Sequence, residues 1–285
     1  MVLAPGCYDP LGARLIEEAG FPSVYMTGFG TAAGRLGRPD VGLLTLSEMV
    51  DNARRIAQAV GVPVIADADT GYGNALNVIR TVREYEAAGV AAIHLEDQAM
   101  PKKCGHLEGK QLIGEGEMAA KVAAAVAARE HPDFLIIART DARAMEGLDR
   151  ALQRARRYRE AGADVLFVEA PQSTDEIKRI AEDLADVPLL FNYAEGGKTP
   201  AVTHDFLRDL GFRLVIFPLS TLLSATAAMR SALAEIKASG TPIDLLPSML
   251  GFDAFLDFIG IGEIRELEER FADRDNHPDE RKSGE

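Results

Sequence analysis

Along the chain, short β-branched or apolar runs alternate with stretches of helical periodicity, and polar loops separate the two. The runs Val2 to Ala4, Ser23 to Met26, Val64 to Ala66, Ala91 to Leu95, Phe134 to Ala138, Val165 to Val168, Leu189 to Phe191 and Leu214 to Phe217 read as strands, about eight in all. Between them, Leu46 to Ala59, Ala75 to Ala88, Glu115 to Arg129, Leu148 to Ala161, Thr174 to Leu184 and Ser220 to Ser239 carry apolar residues at helical spacing. Several helices announce their ends. Ala87-Ala88-Gly89-Val90 and Ala161-Gly162-Ala163-Asp164 each set a glycine, suited to a left-handed cap, just before the next strand. Glu18-Ala19-Gly20-Phe21 and Leu210-Gly211-Phe212 repeat the form. This grammar means parallel strands joined by helical crossovers, and its count and length predict an α/β fold, a (β/α)8 TIM barrel, over residues 1–240. A doubly wound open sheet is the competing arrangement.

The pattern changes after Ser239. Thr241-Pro242 interrupts, Phe252, Phe255, Leu256, Phe258 and Ile259 form an apolar helical face, and a further helical stretch runs from Ile264 to Phe271. With the barrel already closed, this face, within residues 241–272, has nothing of its own to cover and is expected to pack on a neighbouring subunit. Residues 273–285 are charged and poor in apolar side chains, so disorder is expected there.

Composition narrows the function. An apolar fraction of 47% over 285 residues is ample for a large core. Net charge is −13 with no arginine-rich face, which argues against a nucleic-acid partner. An acidic protein taking an acidic ligand then needs a metal or a local cationic pocket. Cys7 and Cys104 give no disulfide framework and suit a reducing, cytoplasmic setting. No run approaches the roughly 18 apolar residues of a membrane span, and the N-terminus lacks the charged-then-apolar pattern of a signal peptide.

Catalytic residues of a barrel gather at the C-terminal ends of its strands. Those positions hold Thr27-Gly28-Phe29-Gly30, Asp67-Ala68-Asp69, His94 with Glu96-Asp97, Arg139-Thr140-Asp141, Glu169 and Asn192. Asp67 and Asp69 alternate with alanine, which on an extended segment turns both carboxylates to one side. With Glu96 they form a candidate site for a hard divalent cation, Mg2+ above all; helix capping or pairing with arginines is the alternative. Pro101-Lys102-Lys103-Cys104-Gly105-His106 sets a thiol among cationic side chains in a turn, so this thiol is expected to ionise more readily than a buried one. The competing view is a solvated basic loop with an incidental cysteine. The loops Thr27 to Thr45 and Glu96 to Gly114 are the longest and are candidate lids, the second carrying Cys104 to the acidic cluster.

Other matches are set aside. Gly28-Phe29-Gly30-Thr31-Ala32-Ala33 meets a loose dinucleotide fingerprint, but the glycines and Pro39 between Gly34 and Gly42 predict that no helix opens there to receive a pyrophosphate. Gly197-Lys198-Thr199 has the end of a phosphate loop, yet Asn192 stands where a glycine is required and Pro200 stops the helix. Cys7 reads as core, and His94 as a hydrogen-bonded barrel histidine.

Taken together, Tyr25-Met26-Thr27-Gly28-Phe29-Gly30, Arg38-Pro39-Asp40, Asp67-Ala68-Asp69-Thr70-Gly71-Tyr72-Gly73, Glu96-Asp97-Gln98, Lys102-Lys103-Cys104-Gly105-His106, Ala138-Arg139-Thr140-Asp141 and Pro218-Leu219-Ser220 resemble the isocitrate lyase and phosphoenolpyruvate mutase superfamily over nearly the whole chain. The resemblance implies a barrel whose C-terminal helix is swapped between subunits of a homotetramer, a dimer of dimers. It implies Mg2+, with Mn2+ as a substitute, held by Asp67 directly and by Asp69, Glu96 and Asp40 through water. The α-oxygen end of a small carboxylate substrate would rest on Thr27, Gly28 and Phe29, with Arg139 on a carboxylate and Gly105, Glu169, Asn192 and Leu219 completing the binding set. The cysteine loop is similar to that of the carbon–carbon lyases, in which the thiol protonates the departing enediolate; Cys104 would be that acid, tuned by Lys102 and His106. Tyr25 is a candidate for the hydroxyl proton.

Departures bear on substrate. Methylisocitrate lyases carry an arginine soon after Pro-Leu-Ser and another in the C-terminal region; here these regions read Thr221-Leu222-Leu223 and Met249-Leu250-Gly251-Phe252. Asn192 to Pro200 looks more like the enzymes that cleave 2,3-dimethylmalate and related alkylmalates. A substituted malate is therefore the expected substrate, against methylisocitrate, oxaloacetate or phosphonopyruvate chemistry, or a non-catalytic metal-binding barrel. The chain also begins almost on strand one where relatives carry a preceding segment, as a late start or a shortened lid would explain.

Overall fold

Eight parallel strands close on themselves in sequence order, which excludes the open sheet. They are β1 (Val2–Cys7), β2 (Val24–Met26), β3 (Val64–Asp67), β4 (Ala92–Glu96), β5 (Leu135–Thr140), β6 (Val165–Val168), β7 (Leu189–Asn192) and β8 (Leu214–Phe217). The seam pairs β1 with β8, from Val2 opposite Leu214 to Pro5 opposite Phe217. The structure, a computed structural model, describes residues 1–272, so the charged tail read from 273 onward lies outside the described residues.

Helices α1 (Pro10–Glu18), α2 (Gly28–Leu36), α3 (Leu46–Ala59), α4 (Ala75–Ala87), α5 (Glu115–Ala128), α6 (Ala142–Glu146), α7 (Leu148–Glu160), α8 (Thr174–Asp183) and α9 (His204–Asp209) connect the strands. Their starts follow local chemistry. Thr45 and Glu48 form a reciprocal capping box on α3, Asn74 and Asn77 do so on α4, and Ser173 accepts the Glu176 amide on α8. Two apolar layers result. Tyr25, Ile65, Ile137, Phe167, Leu190 and Ile216 fill the barrel, while the larger cluster packs strands against helices, with Met49, Val82, Tyr85, Met118 and Leu152 among its buried members. Cys7 is buried there too, as expected of a core residue.

One expectation fails in a useful way. A helix does open after β2: α2 begins at Gly28, with the Thr27 side chain accepting the Gly30 N–H. Gly34 is carried inside this helix, and the first residue to end it is Gly37, in the left-handed region at φ 59. The helix-breaking tendency of a single glycine is small beside the packing of Thr31 and Ala32, both buried. The loop after β2 is correspondingly shorter than the sequence suggests.

The chain divides into two compact units, Met1–Ala225 and a second from Thr226 onward, so the division falls inside α10 (Ser220–Ser239). The second unit continues through a 3-10 turn (Ile243–Ser248) to α11 (Phe252–Ile259) and α12 (Ile261–Phe271), which meet at Gly260 in the left-handed region. No residue of α11 or α12 is buried. Among the described residues no helix is long and apolar enough to cross a membrane.

Tyr85 ties this architecture to the barrel mouth. Its buried hydroxyl donates to the main-chain carbonyl of Asp67 at 2.9 Å and meets Tyr72 Oη at 3.2 Å. Tyr85→Phe is expected to lower stability by about 0.5–1.5 kcal/mol, the net worth of one buried hydrogen bond. Urea unfolding measures this, and an unchanged midpoint would contradict it.

Candidate active site

The C-terminal ends of the strands and the loops beyond them form a polar cleft inside the first unit. Tyr25, Thr27, Phe29, Asp40, Asp67, Glu96, Lys102, Cys104, Gly105, His106, Arg139, Glu169, Asn192 and Leu219 line it, which brings together nearly all of the residues expected from the sequence. Gly28 and Asp69 stand just behind. Gly28 approaches so closely that an added Cβ would strike Asp67 Oδ2. The first turn of α2 thus faces the Asp67 carboxylate, and its amide ends make that rim of the cleft receptive to an anion.

Asp69 is oriented by a different means from the one its spacing suggested. Strand β3 ends at Asp67, and Asp69 sits in the left-handed region at φ 47, its amide donating to Asp67 Oδ1 at 2.9 Å. A side-chain-to-backbone turn, rather than strand alternation, therefore orients the pair. Asp69 Oδ1 lies 2.5 Å from Lys102 Nζ, and Asp40 Oδ1 lies 2.6 Å from the same ammonium. Lys102 is buried, and the surrounding acids hold its pKa well above the usual lysine value despite the opposing effect of burial.

Arg139 is equally committed. Its Nε and Nη2 bind the two Asp141 oxygens at 2.9 and 3.1 Å, and Nη1 is 3.3 Å from Glu96 Oε2. Behind it, Asp97 accepts Thr140 Oγ1 at 2.7 Å, the Asp141 amide at 2.9 Å and Tyr158 Oη at 2.8 Å, with Arg154 Nη1 at 3.3 Å. Arg154 also clasps Glu146 at 2.9 and 2.8 Å. Glu169 takes both of its oxygens to Asn192 Nδ2 at 3.2 Å, and burial notwithstanding, the Arg139 and His106 charges pull it down to about 2. Tyr25 Oη and His94 Nε2 are 2.8 Å apart inside the barrel, so His94 is the hydrogen-bonded histidine the sequence suggested.

The donor set suits a hard cation. Buried carboxylates outnumber the cations beside them, Glu96 Oε1 has no hydrogen-bond partner, and burial raises Glu96 well above the ordinary range and Asp69 to about 6. Among the described residues no three acidic, histidine or cysteine side chains converge tightly enough to cage an ion unaided.

The thiol reverses an expectation. Burial raises the Cys104 pKa to about 11, so the group is protonated at neutral pH. The lysines and the histidine that flank it in sequence are turned elsewhere. Lys102 goes to Asp40 and Asp69, Lys103 Nζ to the Glu108 carbonyl at 3.3 Å, and the His106 ring to Glu169, with Nε2 to Oε1 at 3.1 Å. Neither the Lys102 ammonium nor the His106 ring therefore makes this thiol acidic; the neighbouring charge that lowers it belongs to Arg139, and the His106 backbone amide lowers it further. The loop is closed over the cleft. The Cys104 amide donates to the Asp40 carbonyl at 3.2 Å, Gln98 holds the Lys103 backbone at 2.8 and 2.9 Å, and an added Cβ on Gly105 would meet Arg139 Nη2 at 2.5 Å as well as Glu169. His106 Nδ1 accepts the Lys198 amide at 3.0 Å, joining this loop to the one after β7.

Comparison with known proteins agrees with this geometry. Residues 1–237 match the family model described as phosphoenolpyruvate phosphomutase. The chain is 50% identical to 2,3-dimethylmalate lyase of Eubacterium barkeri, covering 95% of this chain and 94% of that one, and 49% identical to 2-methylisocitrate lyase of Aeropyrum pernix, covering 91% and 83%. A crystal structure of 2,3-dimethylmalate lyase, described as a PEP mutase/isocitrate lyase superfamily member, superposes with a TM-score of 0.90 at 40% identity over 98% of this chain and 93% of that one. Phosphonopyruvate hydrolase in complex with oxalate and Mg2+ superposes with a TM-score of 0.87 at 32% identity over 95% and 94%.

Asp97 is the buried support of this assembly. Asp97→Ala is expected to cost about 3 kcal/mol or more, because Thr140, Tyr158 and the Asp141 amide lose an acceptor where water cannot replace it. Equilibrium unfolding in urea tests this; a loss below about 1 kcal/mol would show that the network relaxes without it.

Proposed function

The chain belongs to the phosphoenolpyruvate mutase/isocitrate lyase superfamily, and on that premise we propose that it is a Mg2+-dependent carbon–carbon lyase that cleaves an alkyl-substituted malate of the 2,3-dimethylmalate type. The products are a keto acid such as pyruvate and a carboxylate. The observation that carries this reading is the convergence of a closed thiol loop, the buried carboxylates Asp67 and Glu96 and the amino end of α2 on one cleft.

The metal would be held by Asp67 directly and by Asp69, Glu96 and Asp40 through water, and would act as a Lewis acid at the substrate oxygens. Thr27, Gly28 and Phe29 then receive the α-oxygen end of the substrate, where the α2 amides favour negative charge. Loss of the hydroxyl proton lets the C2–C3 bonding pair leave as an enediolate, and the carbonyl forms at C2. Burial keeps the Tyr25 phenol protonated, so Tyr25 is the candidate relay: it takes that proton as it passes its own to His94 Nε2, 2.8 Å away. Cys104, kept protonated by burial, gives its proton to C3 of the departing enediolate.

Charge supports the choice of substrate. Lys102 and Arg139, the cations lining the cleft, and the His106 ring each already face protein carboxylates, and Ala194, Pro218 and Leu219 make an apolar stretch of the wall. A third substrate carboxylate would be desolvated there without a free partner, whereas an alkyl group would not. The identity to a 2-methylisocitrate lyase favours that activity as the second reading. The exposed apolar side chains Leu233, Leu250, Phe252 and Phe271 support exchange of the C-terminal helices within a homotetramer, and the whole reading fits a cytoplasmic enzyme.

With Mg2+ present, purified protein is expected to release keto acid from 2,3-dimethylmalate, and Cys104→Ser to lower kcat by about 10²–10⁴, the usual worth of a general acid. Turnover unaltered in Cys104→Ser would remove the thiol from the chemistry. Asp67→Ala is expected to abolish activity and Mg2+ dependence together, read by activity and by metal titration.

A further inference from the structure

Lys110 has no part in the chemistry described so far, yet it is one of the few lysines taken out of water, at 3% exposure. It stands beyond the cysteine turn, on the returning arm of the loop. Its ammonium lies 3.1 Å from Asp141 Oδ1 and donates to the main-chain carbonyl of Gly105. Those two partners belong to different parts of the molecule. Asp141 follows β5 and is fixed from two sides, by Arg139 through both carboxylate oxygens and by Asp97 through its amide. Gly105 is the residue after the thiol, wedged between Glu169 and Arg139.

A buried ammonium needs its hydrogen bonds filled, and opening the loop by moving Gly105 away would break one of them while leaving the charge desolvated. The cost falls on the open state. Lys103, one residue before the thiol, makes an instructive contrast, since its ammonium reaches the exposed Glu108 carbonyl of its own loop. We infer that Lys110 is a positioning residue, a latch that holds the Cys104 turn closed on the rigid Asp141–Arg139 pair and so sets where the thiol points. The latch rests on the lyase reading only for its purpose; its effect on the loop is independent of the substrate.

The test reads the loop directly. In a Cys7→Ser background, leaving Cys104 as the only thiol, alkylation by iodoacetamide is followed in the full-length protein, alone and with Lys110→Met or Lys103→Met. Lys110→Met is expected to speed alkylation by roughly ten- to a hundredfold, the factor by which losing one charge-assisted hydrogen bond shifts a local opening equilibrium. Lys103→Met is expected to leave the rate within about twofold, since it removes only an exposed contact. A merely structural Lys110 would lower the unfolding midpoint and leave thiol protection in the folded protein unchanged, and that result overturns the latch. Should Lys110→Met fail to fold, Lys110→Gln, which keeps a donor but no charge for Asp141, takes the same measurement with the same two outcomes. Faster alkylation in a protein that cleaves none of the proposed acids would sustain the latch and remove the lyase reading; unchanged alkylation in an active lyase would do the reverse.

Discussion

Asp141 joins the buried charges at the mouth of the barrel. It binds Arg139 through both side-chain oxygens, receives Lys110 from the loop that carries the thiol, and hangs by its amide from Asp97. A carboxylate in such a position is tolerable only when its lone pairs are filled, and each partner is in turn held by another pairing. Arg139 faces Glu96 and Glu169, and Asp97 gathers Thr140, Tyr158 and Arg154 from β5 and α7. The network makes the end of the barrel stiff where the cleft needs fixed charge.

The matching stops short of completion on the β3 and β4 side. Lys102 serves Asp40 and Asp69 together, and Glu96 Oε1 is left with no partner. A surplus of buried negative charge is costly by itself and favourable toward a divalent cation, and this supports the proposed metal at the same residues. The thiol follows the opposite logic. It is half-buried, with the ammonium groups beside it in sequence turned elsewhere, so it keeps its proton, as the proposed role of acid requires.

Much of this was legible in the chain itself. Helix, glycine and strand recur often enough that closure into a barrel followed from the pattern, and strand ends identified Asp67, Glu96, Arg139, Glu169 and Asn192 as cleft residues. What escaped depends on tertiary environment. Helix α2 was hidden by its glycines, because propensity is a weak term that packing of Thr31 and Ala32 overrides. The acidity of Cys104 was misjudged because adjacency in sequence says nothing of where a long lysine side chain turns. Lys110 carries no sequence signal that separates it from a solvated loop lysine, and Arg154 and Tyr158 look like ordinary residues of an amphipathic helix; only burial reveals them.

Because Lys102 and Arg139 are already engaged by protein carboxylates, the proposed cleft discriminates among acids by the number of carboxylates they carry. The most direct measurement is the ratio of kcat/KM for 2,3-dimethylmalate to that for 2-methylisocitrate, followed by keto acid release in Mg2+. A ratio above about ten is predicted, corresponding to the roughly 1–3 kcal/mol by which an unmatched buried polar group is penalised. A preference for the tricarboxylate would contradict it, and would mean that one of the paired cations is free to leave its protein partner for the substrate.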